Sequence, residues 1–454
     1  MGELAQAHPM HRLLQGEVGS GKTLVALRAM LTVVDAGGQA VLLAPTEVLA
    51  QQHHRSITAM LGPLAERGLL GGSDVGTRVA LLTGSLSAGR RKEALLDIGV
   101  GDAGIVVGTH ALLEDRVQFF DLGLVVVDEQ HRFGVEQRAA LAAKSRDGTR
   151  PHVLVMTATP IPRTVAMTVF GDLEVSTLSE LPKGRAPIVT HVVPSAEKPE
   201  YLARAWTRIS EEVAAGRQAY VVCPRIGGDE KSATGEDVDS GDADRRPPIA
   251  VLDLAPELVE GPLRGLRVGI LHGRLGSDEK DDTMRRFAAG PSAPDGLDVL
   301  VATTVVEVGV DVPNATVMVV MDADRFGVSQ LHQLRGRIGR GEHPGLCLLV
   351  TEMHPASPAR ERLDAVAATQ DGFELSRLDL EQRREGDVLG ASQSGHRSSL
   401  RMLAVLRDED VIEAARSEAT ALVTADPELV GAPALARAVA ALLDEERADY
   451  LEKS

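Results

Sequence analysis

Short aliphatic runs recur along the first three quarters of the chain, separated by stretches in which apolar residues return with helical spacing. Met10 to Leu14, Ala40 to Leu43, Val79 to Leu82, Ile105 to Val107, Leu124 to Val127 and His152 to Met156 make one series of predicted strands. Ile188 to Val193, Gln218 to Cys223, Arg267 to Leu271, Asp298 to Ala302, Thr316 to Met321 and Gly345 to Val350 make a second. Runs of this kind, alternating with helical patterns such as Leu24 to Val34, signal parallel sheets covered by helices. The fold class is α/β, with two domains expected over 1–180 and 181–352. Beyond Thr351 the strand runs stop, and Ala-, Arg- and Glu-rich sequence predicts a mainly helical region over 353–454. There Asp426-Pro427 marks a helix start and Gly431-Ala432-Pro433 a break.

At 454 residues and 44% hydrophobic, the chain can bury sizeable cores. No apolar stretch is long enough to span a bilayer and no secretory signal is evident, so a cytoplasmic address without a membrane partner is expected. Cys223 and Cys347 stand singly in apolar runs, which excludes a four-cysteine cluster within one chain and fits buried free thiols. The formal charge of −17 argues against indiscriminate nucleic-acid binding. Its distribution changes that picture. Many acids lie in a Gly-, Ser- and Pro-rich stretch at 227–248, read as a disordered insertion, whereas basic residues gather at 325–340 and 383–401. With 2% aromatic residues a base-stacking platform is not expected, so a nucleic acid would be held by its backbone.

Candidate chemistry centres on Gly16-Glu17-Val18-Gly19-Ser20-Gly21-Lys22-Thr23, which fits G-x-x-x-x-G-K-S/T. In that pattern backbone N–H groups wrap phosphate oxygens while the lysine and hydroxyl reach the terminal phosphates and Mg²⁺. The strand before it and the helix after it aim a helix N-terminus at the phosphates. Leu122 to Val127 then ends in Asp128-Glu129, where the first acid holds Mg²⁺ and the second activates water. An acidic pair after a strand is by itself a common solvated turn; after a phosphate loop, and followed by Gln130 and His131, it reads as functional.

With these motifs the chain resembles a superfamily 2 helicase over nearly all its length, which implies two tandem RecA-like P-loop domains, ATP and Mg²⁺. Pro45-Thr46, Thr83-Gly84, Thr109, His272 and Thr303 match that superfamily's nucleic-acid segments, a task suited to backbone amides and hydroxyls. Gln130, His131, Thr157, Thr159 and Gln333 match its coupling positions, and Gly309 and Asp311 its second-domain nucleotide motif. Gln333 to Arg340 fits Q-x-x-G-R-x-x-R, whose arginines, one helical turn apart, can reach across a cleft to a γ-phosphate. The resemblance makes Arg340 the better finger candidate, with Arg337 beside it.

A finer resemblance is to the RecG family of branch-migration helicases, carried by MHRLLQGEVGSGKT, DEQHRFGVEQR and TATPIPRT. Asp379 to Gly390 and Gln393 to Gly395 resemble the helical hairpin and loop that convert ATP-driven closure into translocation there, making Arg383 and Gln393 candidates for DNA contact and coupling. The resemblance implies a monomer acting on branched or duplex DNA. In that family a wedge domain precedes the loop, and Met1 to Gln15 is too short to hold it, which leaves three readings: a fragment, a gene model begun at an internal methionine, or half of a split protein whose partner is a separate wedge-bearing fragment. A translocase resembling the transcription-repair factor Mfd, and a truncated, non-hydrolysing binding module, are the alternative readings.

Overall fold

The computed structural model describes residues 2–6, 8–17, 19–68, 72–73, 75–128, 150–157, 174–178, 186–227, 246–304, 312–382 and 408–441. Two parallel sheets dominate. The first has seven strands in the order β3-β4-β2-β5-β6-β1-β7, formed by β1 (His11–Gly16), β2 (Gln39–Leu43), β3 (Arg78–Leu82), β4 (Ala103–Gly108), β5 (Leu122–Asp128), β6 (His152–Thr157) and β7 (Glu174–Leu178). Helices α1 (Lys22–Asp35), α2 (Glu47–Leu61) and α3 (Ala88–Val100) belong to this half.

The second sheet has six strands in the order β10-β11-β9-β12-β13-β8, from β8 (Ile188–Pro194), β9 (Gln218–Val222), β10 (Val268–Leu271), β11 (Val299–Ala302), β12 (Ala315–Val320) and β13 (Gly345–Thr351). Its helices are α4 (Pro199–Ala214), α5 (Val251–Glu260), α6 (Ser277–Ala289), α7 (Val328–Arg335), α8 (Pro358–Ala368) and α9 (Gly372–Gln382). The chain thus forms two parallel-sheet α/β domains of the tandem RecA-like kind, followed by a helical region.

Alternation at period two gives each sheet two cores. In β2, Ala40 and Leu42 pack with Met30, Ile57 and Ile105, whereas Val41 and Leu43 pack with Ile98, Leu112 and Val125. In the second sheet Tyr220, Met318 and Val320 face one cluster and Ala219, Val319 and Met321 the other. Both faces being dry explains why the central strands read as unbroken apolar runs. Cys223 and Cys347 are buried free thiols, and burial pushes each up to about 12, which removes thiolate chemistry near neutral pH.

Each strand run of the sequence reading is a strand here, and β7 is an addition to them. Glu174–Leu178 has no apolar run and is only partly buried, so hydropathy does not mark it. It pairs with β1 in the register Gln15↔Thr177 and Gly16↔Leu178. Arg12 on β1 donates to Ser176 at 2.6 Å and ion-pairs with Glu174 and Glu3, and Gln15 Nε2 donates to Thr177 at 3.1 Å.

The helix boundary near the C-terminus is the reverse of the expectation. Helix α10 (Glu409–Ala425) ends at Asp426-Pro427, and the segment from Gly431 precedes a new helix, α11, over 433–441. Asp426 Oδ2 accepts from Gly431 N–H at 2.7 Å, closing a turn, and Pro433 occupies a first-turn position where its missing N–H costs nothing. Of the expected insertion, 228–245 lies outside the described residues; on its flank Arg246 pairs with Asp322 and Glu352. Among the described residues no helix is long and apolar enough to cross a membrane.

Candidate functional site

The phosphate loop leaves β1 at Gly16 and enters α1 at Lys22. Gly19 and Gly21 have φ of 86° and 91°, a left-handed conformation that folds the backbone back on itself and favours glycine. Gly16 has a steric requirement instead: a Cβ there would lie 2.7 Å from Ser20 Oγ and 2.9 Å from Leu178 on β7. Lys22 Nζ donates to the carbonyls of Gly16 at 2.7 Å and Glu17 at 2.9 Å, so the lysine lies folded over its own loop. Ser20 Oγ is buried with no hydrogen-bond partner among the described residues, and Thr23 follows Lys22 in the first turn of α1.

Asp128 is the last residue of β5. Since β6 lies between β5 and β1 in the sheet, Asp128 and the phosphate loop sit two strands apart, about 10 Å at normal strand spacing. His53 on α2 donates through Nε2 to Asp128 Oδ2 at 2.7 Å, and both side chains are almost enclosed. Thr157 ends β6 and is buried. Glu129, Gln130, His131 and Thr159 lie outside the described residues.

The candidate nucleic-acid residues of the first sheet occupy its other half. Pro45 and Thr46 follow β2, Thr83 and Gly84 follow β3, and Thr109 follows β4, three strands that are contiguous in the order β3-β4-β2. Thr46 caps α2, its Oγ1 accepting from Leu49 N–H at 3.3 Å. Glu47 Oε1 accepts from Ser85 N–H at 3.1 Å and so ties α2 to the turn after β3. Thr109 Oγ1 is buried with no hydrogen-bond partner among the described residues. The sheet therefore divides at the β2–β5 pair: Asp128, Thr157 and the glycine-rich loop at the carboxyl ends of β5, β6 and β1, hydroxyls and amides at those of β2, β4 and β3.

The second sheet brings His272 after β10 and Thr303 after β11 onto neighbouring strands, at the carboxyl ends. Burial, together with the nearby Arg274 and Lys280, pushes the His272 imidazole below its usual value and keeps it neutral near pH 7. Gly309, Asp311, Arg383 and Gln393 lie outside the described residues.

Gln333 is buried on α7, but the arginines are not on a helix as expected. Helix α7 ends at Arg335, and Arg337 and Arg340 lie in the following turn, which Gly339 enters with φ of 65°. Arg340 Nε folds back to donate to Gly336 O at 2.8 Å. A glycine at Gly336, directly after the helix, and the left-handed glycine three residues on explain why the helical period stops here.

Three residues outside the predicted set complete the arrangement. Arg335 is buried and donates to the carbonyls of Val366 at 3.0 Å and Thr369 at 2.7 Å at the end of α8, and to His332 Nδ1 at 2.8 Å. His332 Nε2 meets Glu17 Oε2 at 3.0 Å, and Glu17 Oε1 accepts from Gly372 N–H at 3.0 Å. Burial pushes Glu17 up, but the bonds from His332 and Gly372 outweigh it and hold the carboxyl below the usual carboxylate range. His53 left a trace in sequence, since it falls in the helical stripe with Leu49, Ala50 and Ile57, a histidine among sheet-facing apolar residues. Glu17 and His332 left none, being separated by hundreds of residues.

Comparison with known proteins fits this geometry. The DEAD/DEAH box helicase model matches residues 4–168, the helicase conserved C-terminal domain model residues 250–342, and the model for domain 3, C-terminal, of the ATP-dependent DNA helicase RecG residues 369–438. The ATP-dependent DNA helicase RecG of Mycobacterium tuberculosis is 58% identical over 451 residues, covering 99% of this chain and 59% of that protein. The Bacillus subtilis RecG is 45% identical over 424 residues, covering 93% and 56%. The chain therefore spans somewhat over half the length of the curated relatives it matches. Among solved structures, a RecG bound to a three-way DNA junction superposes with a TM-score of 0.66 at 35% identity, covering 91% of this chain and 48% of that one. Yeast Dbp5 bound to RNA and ADP–BeF₃, at 17% identity and a TM-score of 0.52, shares the fold. The ordered motifs, the divided sheets and these likenesses together establish that the chain belongs to the RecG family.

Proposed function

We propose that this chain is an ATP-driven DNA motor that remodels branched DNA. The observation that carries the reading is the division of the first sheet: phosphate-binding and acidic residues at one set of strand ends, hydroxyls and amides suited to a phosphodiester backbone at the adjoining set. In this reading Lys22 and the loop amides bind the triphosphate of ATP, and Glu129 orients and deprotonates the attacking water. Arg337 and Arg340 stabilise charge on the transferred phosphoryl group, and Gly309 and Asp311 contribute to the nucleotide site from the second domain. Pro45, Thr46, Thr83, Gly84, Thr109, His272 and Thr303 hold DNA phosphates, with Arg383 and Gln393 gripping the duplex. Gln130, His131, Thr157, Thr159 and Gln333 carry the signal between the sites. The RecG-specific match over 369–438 favours this reading over a transcription-repair translocase.

Mg²⁺ suits the residues present. The Thr23 hydroxyl and the Asp128 carboxylate are hard oxygen donors, few in number, as expected of a cation that also keeps waters and phosphate ligands. The buried Ser20 Oγ, lacking a partner among the described residues, marks a loop shaped for a polar guest. When bound, the ion neutralises charge on the phosphates.

DNA-stimulated ATP hydrolysis by the pure, folded chain tests the proposal. The expected outcome is turnover that rises with branched DNA, and a loss of about 10²–10³-fold in Lys22→Ala through removal of a phosphate donor. A folded wild-type chain with no turnover would sink the reading for this chain.

A further inference from the structure

Glu17 is the first variable position of the phosphate loop, a place where the nucleotide pattern itself asks for no particular side chain. Its carboxylate is nevertheless deeply engaged, with the side chain 15% exposed against 8% for His332. The directions of the bonds follow from chemistry. A guanidinium only donates, so the Arg335 contact makes His332 Nδ1 an acceptor; the Nε2–H therefore points to Glu17, which accepts. The second carboxylate oxygen takes the N–H of Gly372, the first residue of α9 and one of the donors that a helix start leaves without an intrahelical partner. An anion at that end also meets the positive pole of the helix. Arg335 meanwhile holds the last carbonyls of α8. One loop residue of the first domain thus gathers α7, the end of α8 and the start of α9 of the second.

The main chain of the same residue does a different job, since the Glu17 carbonyl is one of the two that hold Lys22 Nζ. A lysine that binds phosphate must leave those carbonyls. Side chain and main chain of Glu17 therefore answer to different parts of the molecule: the second domain and the nucleotide's own lysine.

We propose that Glu17 is a positioning residue that latches the phosphate loop to α7 and α9, and that withdrawal of Lys22 onto phosphate loosens this latch. The proposal deepens the motor reading and rests on it for the second half only. Arginines 337 and 340 follow directly from α7, so the latch bears on where they rest.

Backbone amide exchange on the full chain decides the matter, with Glu17→Ala and His332→Ala compared against wild type and melting temperatures recorded. Without nucleotide, Glu17→Ala is expected to speed exchange at Gly372 about ten-fold or more, the size of a lost hydrogen bond to a charged acceptor. His332→Ala, which changes no residue of the phosphate loop itself, is expected to speed exchange in α7 and its following turn. In wild type, saturation with a non-hydrolysable ATP analogue should reproduce the Gly372 change, and in Glu17→Ala it should add nothing there. In steady state, Glu17→Ala should alter kcat with DNA several-fold more than KM for ATP, a split that simple loop damage would not give. Unchanged Gly372 exchange in a folded Glu17→Ala overturns the latch. Analogue binding to wild type that leaves Gly372 protected overturns its release. Failure of wild type to bind the analogue would instead defeat the motor reading and with it the release step, while the nucleotide-free comparison still decides the latch.

Discussion

In the proposed function Asp128 answers to two demands, holding a cation and keeping a fixed orientation. His53 meets the second by donating a hydrogen bond to Oδ2, and it does so from α2, the helix whose capped N-terminus is a candidate DNA contact. Replacing His53 with Ala should lower ATP turnover about 10–100-fold, the usual effect of removing a group that orients a metal-binding side chain. Steady-state rates titrated with Mg²⁺ check this, and a variant with wild-type rate and Mg²⁺ dependence would refute it. Gly16 gives a steric case: Gly16→Ala would press its methyl against Ser20 and Leu178, costing about 1–3 kcal/mol and pulling β7 from the loop. Urea unfolding measures that loss. At this scale sequence was informative where the backbone itself imposes the residue type, as at Gly19 and Gly21. It was silent where a side chain's meaning lies in a distant partner. The sequence pattern assigns no role to the Glu17 carboxylate or to Arg335, although Arg335 is buried on helix-end carbonyls.

Elements were legible in proportion to how dry they are. Strands buried on both faces announced themselves as aliphatic runs, whereas β7 gains its place from pairing with β1 and from Arg12, neither of which hydropathy carries. Helix ends were harder still: the Asp426 turn and the stop after Arg335 depend on a side-chain cap and on glycine conformation. One helix is held down by a buried acid. Glu212 on α4 accepts from Thr316 of β12 at 2.6 Å and pairs with Arg217 and Arg208. Burial pushes its carboxyl up, but those partners prevail and keep it below the usual carboxylate range. A depressed folded-state value means the stabilisation is present above the unfolded-state value and is lost as pH falls through the folded one. Glu212→Gln should therefore cost roughly 1–3 kcal/mol at pH 7, moderated by the solvent around both arginines, and the gap should close in acid. Denaturant melts from pH 7 down through the carboxylate range test it; a gap that ignores pH would refute the account.

For the whole molecule, a formal charge of −17 sits beside a proposed hold on the most densely charged of polymers. The proposed contacts reconcile the two by being local, made through amides, hydroxyls and a few arginines. Affinity for DNA should then fall as salt rises, with a log–log slope of about −0.9 for each phosphate neutralised, so a shallow slope is expected for so acidic a chain. Fluorescence anisotropy across a salt series gives the slope, and an affinity indifferent to salt would contradict backbone tracking. Seven of the 65 acids lie between Gly227 and Arg246, and the two flanks of that stretch are fastened to each other. Arg225 bridges to Ala250, Val251 and Leu252 donate to the carbonyls of Arg225 and Ile226, and Arg246 is pinned by Asp322. Because the flanks meet whatever joins them, the join is exchangeable, and doubling its length would cost only about 0.6 kcal/mol of closure entropy. That makes it a natural port for engineering: a fluorescent reporter spliced there would ride on the second domain of the proposed motor.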